Sequence, residues 1–174
     1  MIMNSSKGEI NQNKENTRLY DILSDSISKG DIDAIVIASR TGNLSLKIAE
    51  KFKGIKLVSV TEFIYSDEIK KEMKKAKINP IEKSDLPIQD KTTVKDTLLM
   101  FGSGVKTAIE VATIAADKGL VSGKVISISS GKKGVDTALL IKTSKSNNMF
   151  DPDPEKRLAV IDFLVFKNSI QKIS

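Results

Sequence analysis

Apolar residues recur along this chain in two alternating rhythms. Leu19, Ile22, Leu23, Ser26 and Ile27 share one face of a 3.6-residue spiral, which predicts a helix from a capping Asn16 to Ser28, ended by Gly30. Ala34–Ser39 is a short β-branched run and predicts a buried strand. Helical spacing returns through Leu44, Ile48 and Phe52 with Gly54 as the stop, and Lys56–Val60 predicts a second strand. A charged helix follows over Asp67–Lys77, its acidic residues in the first turn where the helix dipole favours them, and Ile78–Ile81 predicts a third strand. Glu82–Lys91 contains Pro87, lacks periodicity and reads as irregular.

A helix is predicted over Thr93–Phe101, then a kink or hairpin at Gly102-Ser103-Gly104. Val105–Lys118 carries a stripe of Val105, Ala108, Ile109, Ala112, Ala115 and Ala116, closed by Gly119. Three more strands are predicted at Lys124–Ser129, Thr137–Thr143 and Leu158–Lys167. A glycine loop, Gly131-Lys132-Lys133-Gly134, separates the first two, and a polar loop, Ser144–Pro154, precedes the last.

Strands alternating with helices define an α/β class with a mostly parallel sheet and helices on both faces. Residues 1–15 are polar and predict a flexible lead-in, leaving 16–174 as one α/β domain. A chain of 174 residues buries about 70% of its unfolded surface and needs no covalent staples. The first residues lack the apolar stretch of a signal peptide, and runs such as Ala34–Ala38 are far too short to span a bilayer. The expectation is a cytoplasmic protein with no membrane partner.

Composition narrows the chemistry. The chain has no Cys and no His, which excludes thiolate and imidazole nucleophiles, Cys or His metal sites and Ser-His-Asp catalysis. Proton transfer would fall to Asp, Glu, Lys or Tyr, and no metal is expected. The net charge of +6 comes from 25 Lys and 3 Arg, poor in the forked donors that read nucleic acids. The five lysines of Lys70–Lys77 have no interleaved aromatics to stack bases and read as a solvated face, so no nucleic-acid partner is expected.

In an open parallel sheet, ligands bind outside the carboxyl ends of the strands where strand order reverses. Two loops lie at such ends. Ser39-Arg40-Thr41-Gly42-Asn43 and Ser45 supply hydroxyls, a permissive glycine and a helix N-terminus, the ingredients of a phosphate cradle. The same residues also suit a plain helix cap and tight turn, and the residues alone leave both readings open. In the second loop Gly131 and Gly134 allow close backbone approach, Lys132 and Lys133 add charge, and Asp136 and Thr137 offer an acceptor and a hydroxyl. An ordinary glycine turn is the alternative there. Thr61 and Glu62, at the end of the second strand, would be further lining residues.

The segments "AIVIASRTGNLSLKIAEKF", "KLVSVTEF" and "IEVATIAADKGLVSGKVISISSGKKGVDTALLIKT" resemble the C-terminal α/β domain of pyruvate kinase. They are still more similar to a stand-alone family of archaeal and bacterial proteins built from that domain alone, as are "KENT" and "SNNMFD". The resemblance implies a three-layer α/β/α sandwich with the first and fourth strands as neighbours at the switch point. It implies phosphate contacts at Ser39, Thr41, Gly42, Asn43 and Ser45, a second wall at Gly131, Gly134, Asp136 and Thr137, and a homo-oligomer. The kinase loop carries Arg after its glycine, whereas this chain has Asn43 there and Arg40 before it. There is no Trp and no barrel-like segment with metal and phosphoenolpyruvate sites, so pyruvate kinase activity is not expected.

The expected function is therefore binding of a phosphorylated small molecule, either flavin mononucleotide (FMN) or another mononucleotide, or a sugar phosphate. Two alternatives stand beside it: an enzyme using the same pocket, with Asp136 or Glu62 as base, and an assembly module without ligand. On the binding reading, Gly42→Val is expected to abolish binding while leaving the fold largely intact.

Overall fold

A computed structural model describes residues 3–131 and 134–167. The chain divides into two compact units, Met1–Asp31 and Ile32–Ser174. The first holds one helix, α1 (Met3–Ser28). The helix therefore starts at Met3, not at Asn16, and the stretch expected to be a flexible lead-in carries helical backbone. No proline interrupts the stretch, and Asn16 is interior to the helix rather than its cap. The Lys29–Asp25 ion pair at 2.7 Å and Gly30 at φ 80° finish this unit.

The second unit is a six-stranded sheet in the order β3-β2-β1-β4-β5-β6. Its elements run β1 (Ala34–Ala38), α2 (Asn43–Lys51), β2 (Lys56–Val60), α3 (Asp67–Lys75), β3 (Ile78–Ile81), α4 (Thr92–Leu99), α5 (Ser103–Asp117), β4 (Lys124–Gly131), β5 (Gly134–Lys142) and β6 (Ala159–Phe166). The first four strands are mutually parallel, while β5 and β6 add antiparallel. Strands proceed β1 to β3 in one direction, and the chain then returns past β1 to lay down β4. The β1–β4 pair, registered Ile35 on Ile126 and Ile37 on Ile128, is the point where strand order reverses.

Alternation within each strand sorts residues between the two faces. Ala34, Val36, Val58, Val60, Val125, Leu139 and Ile141 form one core with Val105, Ala108, Ile109 and Ala112 of α5. Ser59, which points the other way from Val58 and Val60, bonds to Ser45 of α2, so α2 and α5 lie on opposite faces of β2. The stripe expected on α5 understates its burial, since Glu110, Val111, Thr113 and Ile114 are buried as well. A helix closed in on nearly every side has contacts beyond one sheet face, and here α4 supplies some of them. Its C-terminus is sealed by Leu120 N–H to Ala115 C=O and Gly119 N–H to Ala116 C=O, both 3.0 Å, with Gly119 at φ 71°.

The expected glycine loop after β4 is the tip of a β-hairpin. Antiparallel pairing continues out to Gly131 opposite Gly134, so only residues 132 and 133 connect the strands, and Lys132 and Lys133 lie outside the described residues. Ser129 pairs with Thr137 and Ser130 with Val135, which leaves Asp136 as an extra, bulged residue. A bulge of this kind re-aims a side chain at a sheet end. No helix among the described residues is long and apolar enough to cross a membrane.

Candidate functional site

The carboxyl ends of β1, β2 and β4 gather most of the residues expected to form the site. The β1–α2 turn turns sharply because Gly42 sits at φ 85°, ψ −17°, a conformation that suits glycine. The glycine is also required for packing. A Cβ there would run into Ile69 Cγ2 and stand 2.7 Å from Met73 Cε, both on α3. The expectation that Gly42→Val spares the fold is therefore corrected, because a β-branched residue is strained at φ 85° and its Cβ overlaps the short, branched Ile69 side chain.

A chain of hydroxyls fixes the same turn from beneath. Tyr65 Oη donates to the Ser39 carbonyl at 2.8 Å, and Ser59 Oγ lies 2.8 Å from Tyr65 Oη and 2.6 Å from Ser45 Oγ. Each hydroxyl has one proton, so donation runs Ser45 to Ser59 to Tyr65 to the Ser39 carbonyl. Burial pushes the Tyr65 phenol up to about 12, with the nearby Glu82 carboxylate adding to the rise and the Ser59 hydrogen bond opposing it. The Tyr65 N–H donates to Glu82 Oε1 at 2.6 Å, and Glu82 pairs with Lys70 at 3.3 Å. The sequence alone does not mark Tyr65 and Ser59 as site residues. A serine inside the apolar run "KLVSV" was the available signal.

These bonds separate the residues of the first loop into two sets. Ser39, Gly42 and Ser45 are buried, and the Ser45 hydroxyl is committed to Ser59, so toward an anion Ser45 can offer only its backbone N–H. Arg40, Thr41 and Asn43 are exposed. Arg40 lies over the Phe63 ring, 4.5 Å from its centroid, a cation–π contact beyond the end of β2. Thr61 is buried, with its hydroxyl 3.4 Å from the Arg40 carbonyl and accepting the Phe63 N–H at 3.2 Å, so it braces the turn.

Across the β1–β4 pair, the β4–β5 hairpin meets the start of α5. Ser129 Oγ donates to the Gly104 carbonyl at 2.9 Å, and Asp136 Oδ1 is a more distant 3.4 Å from the same hydroxyl. A Cβ on Gly104 would collide with Thr137 Oγ1 and stand 2.7 Å from Asp136 Oδ1. The bulge therefore brings the Asp136 carboxylate against the first turn of α5, the positive end of its dipole. Thr137 is buried, whereas Gly131 and Gly134 are exposed along the hairpin tip. Gly102-Ser103-Gly104, expected as a kink, thus places a second helix N-terminus at the same edge of the sheet. Further along α5, Glu110 Oε1 accepts the Ile88 and Gln89 N–H groups at 3.1 and 3.2 Å, and Glu110 Oε2 pairs with Lys106. This pair ties the irregular segment before α4 to the core, and a lone carboxylate within "AIEVA" was its trace in the sequence.

Two helix starts therefore face the switch point, and at both the N-cap residue is a glycine that supplies no side-chain cap. Among the described residues, that of α5 alone has a carboxylate, Asp136, placed beside it. Among the described residues no group of three or more acidic side chains could hold a metal ion. A scan of the chain against protein-family models finds no match.

Proposed function

We propose that this chain is a three-layer α/β/α protein of the pyruvate kinase C-terminal-domain type, and that it binds a phosphorylated small molecule at the β1–β4 switch point. The observation that carries the reading is the start of α2. Its first turn has no acidic residue and no side-chain cap, it stands at the carboxyl edge of the parallel strands, and Thr41 and Asn43 are exposed beside it. Backbone N–H groups at such a terminus favour a phosphate. Asp136 would repel a phosphate at α5 and instead accept hydrogen bonds from hydroxyl or N–H groups of the ligand's other end. FMN, with one phosphate and a hydroxyl-bearing chain, fits these two poles, and when bound it would supply redox chemistry that these side chains lack.

The test compares FMN with riboflavin by isothermal titration calorimetry. FMN is expected to bind at least tenfold tighter, and Asn43→Asp to erase the difference. A sugar monophosphate and AMP, titrated alongside, separate the nucleotide from the sugar reading. Equal binding of FMN and riboflavin, with none of either phosphate, would remove the phosphate site.

A second reading, assembly into a homo-oligomer, is favoured by an exposed aromatic group at the sheet's edge. Phe163 on β6 stands 6.5 Å from Phe101 and 5.5 Å from Phe166, ring centre to ring centre, and all three are more than 40% exposed. Among the described residues β6 pairs with β5 alone, which leaves an outer edge of the kind that recruits another strand. Light scattering should give a mass above 19.0 kDa that falls to the monomer in Phe163→Lys.

A further inference from the structure

On the α4–α5 side of the sheet, well along the chain from the switch-point loops, lies a cavity of about 340 Å³. Its walls are apolar: Val94 from α4, Ile109 from α5 and Val160 from β6. The segment before β6 also lines it, and among its residues there are Phe150 and the two charged ones, Asp151 and Arg157. Phe150 is 66% exposed, a large apolar surface left in water beside an apolar hollow. The volume lies at the small end of the range for ligand pockets, about 300–1,000 Å³, and suits a metabolite rather than a polymer.

The two charges decide the ligand's chemistry. In the same segment Asp153 pairs with Lys156 at 3.7 Å, and Lys142 Nζ donates to the Pro154 carbonyl. Arg157 and Asp151, by contrast, form no ion pair with each other or with any other described residue. Asp151 uses Oδ1 to accept the Asp153 N–H at 2.9 Å, which fixes the carboxylate and leaves Oδ2 to bond elsewhere. An apolar cavity lined by one cation and one anion, unpaired with each other, is matched by a ligand carrying both opposite charges and an apolar body.

We propose that this cavity binds a free α-amino acid with an apolar side chain. The carboxylate would take the forked donors of Arg157, the ammonium would meet Asp151, and the side chain would lie among Val94, Ile109 and Val160 under Phe150. A simple fatty acid leaves Asp151 facing a like charge, and a simple amine does the same to Arg157. Only the zwitterion satisfies both, so recognition depends on all three parts of the ligand together.

The test is calorimetric titration of the full chain with L-leucine, against 4-methylpentanoate, isoamylamine and glycine, which lack the ammonium, the carboxylate and the side chain respectively. L-Leucine is expected to bind at least tenfold tighter than each. Arg157→Gln and Asp151→Asn are each expected to weaken it at least tenfold without moving the melting temperature, since the first loses no internal partner and the second keeps its Oδ1 acceptor. Val94→Phe, which fills the cavity, should abolish binding in a protein that still melts cooperatively. Absence of leucine binding to the wild-type chain, binding no tighter than any of the three analogues, or leucine affinity unchanged in Arg157→Gln would overturn the proposal.

Discussion

Helices α2 and α5 both follow a glycine in the positive-φ region, Gly42 at 85° and Gly102 at 101°, and neither glycine supplies a side-chain cap. What surrounds them differs. The start of α2 is held by neutral groups, the Ser45–Ser59–Tyr65 hydroxyls ending on the Ser39 carbonyl and the Ile69 and Met73 side chains against Gly42. The start of α5 is held by charge, with Asp136 against Gly104 and the Lys106–Glu110 pair one turn further along. Two helix termini with the same intrinsic dipole therefore present different potentials to the crevice. The one left without a carboxylate is the one suited to an anion.

The largest effect separating the two is expected from Glu110→Ala. It strands Lys106, 12% exposed, and two N–H groups, and should lower stability by about 3–5 kcal/mol. Urea unfolding with an unchanged slope measures it, and a loss below about 1 kcal/mol would mean that charge does not hold α5.

Next comes Gly42→Ala, where left-handed backbone strain adds to overpacking against α3 for a loss of about 2–4 kcal/mol. Gly104→Ala meets Thr137 and Asp136 but carries no positive-φ strain, and it gains about 1 kcal/mol in helix propensity, so its loss should be smaller. The reverse order of the two midpoints would contradict the tight packing of Gly42 against α3.

Tyr65→Phe breaks the neutral chain at its centre and should cost about 1–3 kcal/mol at pH 7. It also changes the alkaline limb. The phenol titrates at about 12 in the fold against 10.0 unfolded, so the unfolded chain releases this proton first. The stability it protects is complete below pH 10 and is lost as pH rises toward 12, about 3 kcal/mol in all. Wild type minus variant, measured across that window, should show this slope, and parallel curves would rule it out.

The smallest effect on stability is expected from Asn43→Asp. A carboxylate in the first turn of α2 should stabilise the fold by about 0.3–1 kcal/mol while making α2 resemble α5 electrostatically. Thermal melts at low and high salt measure it, and the gain should shrink as salt rises.

Much of the sheet could be read along the chain. β2 and β3 fall where β-branched and apolar runs predict them, and β1 and β6 within a residue at each end, because strand formers such as Val, Ile and Phe cluster along each run. The first loop was legible as a glycine turn into a helix for the same local reason. Tyr65, Ser59, Glu110 and Gly104 were not, since each acts on a partner 6 to 26 positions away or more and leaves only an odd residue in an otherwise regular run. Nor could the hairpin bulge be read, because register belongs to a pair of strands and not to one.

By itself, then, the sequence determined the α/β alternation and most of the strands and helices that make it, set by side-chain periodicity and backbone preference. Tertiary structure alone decided which hydroxyls of Ser39–Ser45 turn inward, that Asp136 closes on α5 while α2 stays open, and that Arg157 and Asp151 share one apolar cavity. Those outcomes depend on which distant groups compete for each donor, acceptor and charge, and that competition is settled only when the strands have paired and the helices have packed.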